Sequence, residues 1–126
     1  MEIPIRVLIV DDTVHIRRML RTMLELDGFE VVGDVGTGAE VVDLVDGGLV
    51  ADVIVLDERM PDLDGVETAK RVREARPNQV VLLYTAFPHE ALELAALDAG
   101  VAAVLSKVDG LESLEREITR HCSTLR

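Results

Sequence analysis

The sequence predicts an α/β domain in which one parallel β-sheet carries helices on both of its faces. Five short apolar runs, rich in Val, Ile and Leu, alternate along the chain with segments of helical period. Apolar runs without regular polar alternation are typical of strands covered on both faces, and strand–helix alternation specifies parallel pairing through right-handed crossovers. The predicted strands cover residues 5–10, 29–35, 53–56, 80–84 and 101–105.

The helical segments between these strands begin and end at recognisable residues. In the first helix, Ile16, Met19, Leu20 and Met23 share one face, which predicts its buried side. Three later helices begin with a capping residue that is followed three positions on by Glu, and four helices end near a glycine or a proline. The capping pairs are Thr37–Glu40, Asp64–Glu67 and Asp109–Glu112, and the stops are Gly28, Gly47, Pro77 and Gly100.

Strand composition predicts the order of the strands in the sheet. The first, third and fourth strands are the most apolar and therefore suit the centre. The second carries Glu30, Gly33 and Asp34, and the fifth is built from small residues, so both suit the edges. This pattern predicts a flavodoxin-like (βα)5 three-layer sandwich with the strand order 2-1-3-4-5.

Size and composition restrict the class of protein. With 126 residues, 48% of them apolar and 29% charged, the chain has the composition of one globular domain. We assign residues 1–122 to this domain and 123–126 to a polar tail or the start of a linker. The single cysteine, Cys122, excludes a disulfide framework. Short apolar runs and the lack of a visible secretory signal predict a cytoplasmic protein that does not cross a membrane.

The balance of charge restricts the partners. Asp and Glu total 24 and Lys and Arg total 13, which gives a net charge of −11. Such acidity argues against direct binding of nucleic acid or of an anionic membrane. One explanation of the acidity is solubility. The alternative is that some of the acidic residues surround a bound cation. Lys70 and Lys107 are the only lysines in the sequence, so the position of each is informative.

Polar residues follow four of the five predicted strands directly. In an open parallel sheet, ligands bind beyond the carboxyl ends of the strands, and these ends share one edge. We therefore expect three carboxylates, a hydroxyl group and an ammonium group to meet there. They belong to Asp11 and Asp12 after the first strand, Asp57 after the third, Thr85 after the fourth, and Lys107 after the fifth.

This set of side chains predicts phosphoryl-transfer chemistry. Three neighbouring carboxylates repel one another unless a cation lies among them, and Mg²⁺ prefers oxygen ligands. A carboxylate can also act as a covalent nucleophile and form an aspartyl phosphate. Phosphoryl transfer needs positioning and charge neutralisation, which Lys107 and Thr85 are suited to supply.

Four segments carry a resemblance that extends over essentially the whole chain. They read VLIVDD (7–12), VIVLDERMPDLDG (53–65), LLYTA (82–86) and VLSK (104–107). In this order and spacing they resemble the receiver domain of a two-component response regulator, and the second segment is the most specific. DDTVHIRRML (11–20) and the residues around Lys107, which lack a following proline, are most similar to receivers that precede helix-turn-helix output domains.

The resemblance implies a role for each site residue. Asp57 would accept the phosphoryl group. Asp11 and Asp12, together with Asp57 and the backbone carbonyl of Arg59, would hold Mg²⁺, with Mn²⁺ as a substitute. It further implies that Thr85 bonds a phosphoryl oxygen and moves on activation, and that Lys107 pairs first with Asp57 and then with the phosphoryl group.

The resemblance also implies partners. The phosphoryl donor would be a phosphohistidine on a sensor histidine kinase, or a small acyl phosphate. The signal would pass through a surface near the fourth helix, fifth strand and fifth helix to an effector domain or protein, with homodimer formation on activation. The chain would be a signalling domain with its own self-phosphorylation and self-dephosphorylation chemistry rather than an enzyme with a separate substrate.

Several positions differ from the family pattern or modulate it. Val104 stands where the family often has an aromatic switch, and Val108 stands where it often has proline. In the family, the positions two residues after the phosphoacceptor and after the conserved hydroxyl tune phosphoryl lifetime; here they are Arg59 and Phe87. We hypothesise that these two side chains screen an acyl phosphate from water, and Ala86 is a further modulating position.

Two other functions fit parts of the pattern. A phosphatase with an aspartate nucleophile typically carries a second aspartate two residues later, but position 59 is arginine. A receiver-shaped interaction module that is never phosphorylated would typically lack one of the acids or the lysine. The glycines of residues 33–38 resemble a dinucleotide-binding fingerprint only weakly, and a turn with a helix cap explains them better.

The remaining polar residues suit structural or surface positions. The arginines of the first helix predict a solvated face, with a docking patch for a kinase as the alternative. Two histidines lie in predicted first turns of helices, and the last histidine and the cysteine suit a tail. These residues are Arg17, Arg18 and Arg21, then His15 and His89, then His121 and Cys122.

Overall fold

The predicted parallel sheet is present in the computed structural model, which describes residues 3–122. The five strands are all parallel and lie in the order β2-β1-β3-β4-β5, which confirms the flavodoxin-like prediction. The elements are β1 (Arg6–Val10), α1 (Val14–Leu26), β2 (Glu30–Val35), α2 (Gly38–Asp46), β3 (Val53–Leu56), α3 (Gly65–Ala75), β4 (Val80–Thr85), α4 (Glu90–Asp98), β5 (Ala103–Ser106), a 3₁₀ turn (Lys107–Asp109) and α5 (Gly110–Cys122).

The hydrophobic core is divided by the sheet into two clusters. Successive side chains of a strand point to opposite faces, so Leu8 lies in one cluster and Ile9 in the other. The first cluster is closed by α2, α3 and α4, and the second by α1 and α5. β1, β3 and β4 are therefore covered on both faces, as their uninterrupted apolar sequences predicted.

Local capping fixes the starts of the helices that follow the predicted turns. The Thr37 hydroxyl accepts a hydrogen bond from the Glu40 amide, and the Asp64 carboxylate accepts one from the Glu67 amide, which confirms both capping pairs. The third pair differs in detail, because Asp109 ends the 3₁₀ turn that leads directly into α5.

The buried face of α1 differs from the predicted one. Leu20 and Leu24 are buried, whereas Met19 and Met23 are 54% and 42% exposed. The side chains that pack on the sheet are Ile16, Leu20 and Leu24, four residues apart. The face that they form does not include the two methionines. The predicted face is therefore confirmed for Ile16 and Leu20 and wrong for Met19 and Met23, and Leu24 is buried instead.

The C-terminal end of the described chain also differs from expectation. α5 extends through Cys122, whose side chain is fully buried and whose thiol donates to the Asp52 carbonyl at 3.8 Å. Burial raises the pKa of this thiol to about 11. The interpretation of His121 and Cys122 as tail residues is therefore wrong, while residues 123–126 lie outside the described residues. Within residues 3–122, no helix has the length and apolar character needed to cross a bilayer.

Candidate functional site

Three carboxylates meet at the carboxyl edge of the sheet, as the strand-end pattern predicted. Asp11, Asp12 and Asp57 each offer an oxygen atom, and these oxygens lie within 4.8 Å of one another. The backbone fixes two of them, because the Asp11 amide donates to the Val35 carbonyl at 3.0 Å and the Asp57 amide donates to the Val10 carbonyl at 2.9 Å. Asp11 is buried, Asp57 is half-buried and Asp12 is exposed, so the cluster opens to solvent on one side.

Lys107 brings a positive charge into this cluster from the turn that follows β5. Its ammonium nitrogen lies 3.0 Å from Asp11 Oδ2 and 3.6 Å from Asp57 Oδ1. The Ser106 hydroxyl caps the same turn by accepting a hydrogen bond from the Val108 amide at 3.2 Å. Lys107 therefore contacts both Asp57, as the resemblance implied, and Asp11, which lies nearer.

The negative charges of the three carboxylates favour the binding of a cation in the cluster. Burial raises the pKa of Asp57; Lys107 opposes this, and the charges of Asp11 and Asp12 add to it. Burial alone would lower the pKa of Lys107, but its hydrogen bond to Asp11 and the charges of Asp11 and Asp57 outweigh burial and raise it. The lysine thus stays charged at neutral pH, while the ionised form of Asp57 is disfavoured relative to water.

The residues present fit a magnesium ion. Three carboxylates from two neighbouring strand ends offer only oxygen donors, which Mg²⁺ prefers, and the exposed side of the cluster leaves room for the waters that it keeps. The Arg59 carbonyl belongs to the loop directly after Asp57, and its part as a ligand stays a prediction.

A glycine shapes the loop that follows Asp57. A Cβ atom at Gly65 would lie 2.5 Å from the Asp57 carbonyl oxygen and 2.8 Å from a Leu83 methyl group. The Gly65 amide also donates to the Glu58 carbonyl at 2.7 Å. This close approach explains why the sequence DLDG ends on glycine, because any side chain there would push the start of α3 away from the site.

The Thr85 side chain lies at the end of β4 and is almost fully buried. Its hydroxyl donates to Glu58 Oε2 at 3.1 Å and accepts a hydrogen bond from the Phe87 amide at 3.2 Å. Sequence reasoning did not single out Glu58. The only signal was an acidic residue directly after Asp57, which resembles any solvated loop residue.

Arg17 is a second residue whose role the sequence analysis missed. Its guanidinium donates to the Asp11 carbonyl at 2.8 Å and pairs with Asp34 at 3.1 Å. Arg21 pairs with the same carboxylate, and although burial raises the pKa of Asp34, its bonds to Arg21 and Arg17 lower it overall. A solvated face is therefore the wrong interpretation for Arg17 and Arg21, which anchor α1 to β2 behind the acidic cluster, while Arg18 is exposed.

Two of the predicted modulating positions, in the loops after Asp57 and Thr85, contact each other. The Arg59 guanidinium lies over the ring of Phe87, 6.0 Å from its centre, and Phe87 is 68% exposed. Ala86 is exposed between Thr85 and Phe87, and Val104 is half-buried on β5 against the core cluster of α2, α3 and α4.

Comparison with known proteins identifies the family. Residues 7–119 match the family model described as the response regulator receiver domain. The chain belongs to the response regulator receiver family. Of the predicted site residues, the fold brings Asp11, Asp12, Asp57 and Lys107 together at the carboxyl edge.

Related sequences place this receiver domain among response regulators. The transcriptional regulatory protein PdtaR of Mycobacterium tuberculosis is 38% identical over 112 residues, which cover 89% of this chain and 54% of that protein. The chemotaxis protein CheY of Thermotoga maritima is 31% identical over 102 residues, covering 81% of this chain and 84% of CheY. The receiver domain spans about half the length of the PdtaR and MprA relatives.

Solved structures share its architecture. The receiver domain of the response regulator NarL from Mycobacterium tuberculosis matches with a TM-score of 0.85 and 32% identity, covering 99% of this chain and 100% of that one. The CheX–CheY complex of Borrelia burgdorferi, which includes BeF₃ and Mg²⁺, matches with a TM-score of 0.82 and 28% identity, covering 93% of this chain and 89% of that one.

Proposed function

We propose that this receiver domain accepts a phosphoryl group on Asp57 in a reaction that depends on Mg²⁺. The observation that carries the proposal is the position of the Asp57 carboxylate, 3.6 Å from the Lys107 ammonium and beside the oxygens of Asp11 and Asp12. The donor is a phosphohistidine of a sensor histidine kinase or a small acyl phosphate. The single buried cysteine and the family support a cytoplasmic setting.

In the proposed step, an oxygen of the Asp57 carboxylate attacks the phosphorus of the donor. A P–O bond to Asp57 forms while the bond between phosphorus and the donor atom breaks, and the leaving group keeps that electron pair. Bound Mg²⁺ would neutralise charge on the phosphoryl oxygens. The Lys107 ammonium stabilises the negative charge that develops on the phosphoryl group. Thr85, at the end of β4, donates a hydrogen bond from its hydroxyl.

We propose that α4, β5 and α5 form the surface through which phosphorylation alters the binding of a partner. Leu94, Leu97 and Val108 are apolar side chains on this surface, and they are 61%, 72% and 84% exposed. The proposed partner is an effector domain or protein, in keeping with the greater length of the relatives. A homodimer formed on activation would cover the same side chains.

The proposal is tested by intact mass after incubation with acetyl phosphate and Mg²⁺. We expect one phosphoryl adduct in the wild type, none in Asp57→Asn, and an unchanged adduct in Asp46→Asn, which removes an exposed acid at the end of α2. Omitting Mg²⁺ is expected to suppress the adduct. Turnover of many phosphoesters would instead indicate a phosphatase, and no adduct with acetyl phosphate or with a phosphorylated kinase would indicate a silent interaction module.

The contact between Arg59 and Phe87 carries a prediction for the lifetime of the adduct. Because the two side chains contact each other in the loops that follow Asp57 and Thr85, we propose that they restrict the access of water to phosphorylated Asp57. Arg59→Asn and Phe87→Glu are each expected to shorten the half-life of the adduct about fivefold, measured by intact mass after the donor is removed. Arg116→Asn, a change at an exposed position of α5, is the control. Half-lives that match the wild type in both variants rule the hypothesis out.

A further inference from the structure

The single donor proton of the Thr85 hydroxyl is already engaged. The hydroxyl donates its proton to Glu58 Oε2 at 3.1 Å and accepts a hydrogen bond from the Phe87 amide at 3.2 Å. A hydroxyl group has a single proton to donate. Because Thr85 is only 3% exposed, water does not offer it an alternative acceptor at low cost. Any other acceptor must therefore displace Glu58 before it receives this proton.

The same carboxylate also faces the start of α4. Glu58 Oε1 lies 4.0 Å from His89 Nε2, and the other ring nitrogen of His89, Nδ1, accepts a hydrogen bond from the Leu92 amide at 3.2 Å. His89 is the N-cap residue of α4, and this cap leaves the imidazole proton on Nε2, on the side of Glu58. Glu58 thus lies between the hydroxyl at the end of β4 and the capping residue of α4.

We propose that Glu58 is a positioning residue that retains the Thr85 hydroxyl and so opposes phosphoryl transfer to Asp57. This inference rests on the proposed function, because the competing acceptor is the phosphoryl group. Phosphoryl oxygens only accept hydrogen bonds, so they compete with Glu58 for the one proton of Thr85. The negative charge added to Asp57 also repels the carboxylate of the next residue, Glu58.

Release of Thr85 has a second consequence at α4. Once the hydroxyl leaves, Glu58 loses this hydrogen bond, and its carboxylate is left beside the exposed imidazole of His89. Glu58, which retains Thr85, therefore also transmits the release of Thr85 to His89, the N-cap residue of α4. Both effects depend on the carboxylate of Glu58.

The first test measures the position of Thr85 without any phosphoryl donor. Three-bond couplings to the Thr85 γ-methyl carbon report its χ1 rotamer by NMR. We expect one rotamer in the wild type, partial averaging in Glu58→Gln, which keeps a neutral acceptor oxygen, and stronger averaging in Glu58→Ala. Glu74→Gln makes the same change of charge at an exposed position of α3 and should leave the couplings unchanged.

The second test measures the initial rate of adduct formation with acetyl phosphate and Mg²⁺. We expect Glu58→Ala to be about tenfold faster than the wild type, since the hydrogen bond it removes is made to a charged group. We expect Glu58→Gln to show a smaller increase and Glu74→Gln none. In a Thr85→Ala background, Glu58→Ala should give no acceleration, because the hydroxyl that it releases is already missing.

The two tests separate this inference from the proposed function. Couplings that stay at wild-type values in both Glu58 variants overturn the inference, and so do altered couplings without a faster adduct. An acceleration that persists in the Thr85→Ala background also overturns it, because the effect would then come from charge alone. If the wild type forms no adduct, the proposed function fails, and the couplings still decide whether Glu58 retains Thr85.

Discussion

Replacing Lys107 with methionine is expected to lower the free energy of unfolding by about 3 kcal/mol in the absence of Mg²⁺. The substitution keeps most of the apolar stem but removes the charge that lies 3.0 Å from Asp11 and 3.6 Å from Asp57. The Asp11 side chain is only 3% exposed, so it would be left as a buried carboxylate without its counter-ion, beside two other acids. Removing one partner of a buried ion pair lowers the free energy of unfolding by far more than the intact pair contributes to it.

Urea unfolding with and without Mg²⁺ measures this effect. The divalent ion should bind Lys107→Met several-fold more tightly than the wild type, because the competing ammonium is gone, and should restore much of the lost stability. Lys70→Met is a matched control, since Lys70 is the other lysine of the sequence and lies exposed on α3. Equal unfolding midpoints for the two variants would contradict the account, as would a variant that gains nothing more than the wild type from Mg²⁺.

Replacing Glu115 with glutamine is expected to stabilise the fold by about 2 kcal/mol at pH 8 and by almost nothing at pH 4. Burial, a hydrogen bond shared with Asp27, and the charges of Asp27 and Glu112 raise the pKa of Glu115 to about 7. One of its oxygens, Oε2, is buried without a hydrogen-bond partner among residues 3–122. The folded state therefore binds the proton of Glu115 more tightly than the unfolded chain does.

The sign of the pH dependence follows from this raised pKa. The contribution of Glu115 to the free energy of unfolding falls as pH rises from about 4.5, the ordinary value, to about 7 and stays lower above that range. Glutamine imitates the protonated form at every pH, so the difference between variant and wild type should grow across this interval. Thermal unfolding at half-unit steps of pH measures it, with Glu93→Gln on the exposed side of α4 as the control. A difference that is constant with pH would show that Glu115 does not titrate in this range.

The residues that the sequence could predict are those fixed by topology alone. Asp11, Asp57 and Lys107 come directly after strands and Thr85 ends β4, and parallel strands bring their carboxyl ends to one edge whatever the details of packing. Their meeting therefore followed once the strand order was assigned. The contact of Lys107 with Asp11 rather than chiefly with Asp57 did not follow, because it depends on the 3₁₀ turn after β5.

The residues that the sequence could not predict depend on register and on contacts across elements. Arg17 pairs with Asp34 of β2, a strand whose register against β1 shifts by one residue between Val7 and Leu8. Such a shift changes which face a side chain occupies and leaves no mark in the apolar pattern. Cys122 was misplaced for a related reason: the polar residues around it hide the last buried position of α5.

The burial of Cys122 gives this domain an intrinsic chemical reporter. It is the only cysteine in the sequence, it is fully buried, and the raised pKa of its thiol suppresses the reactive thiolate. A thiol-specific reagent can therefore label it only when the end of α5 detaches from the sheet. The labelling rate under native conditions measures the free energy of that local opening, without any engineered probe. The labelling rate of Cys122 therefore reports how Mg²⁺ or a phosphoryl group changes the mobility of α5.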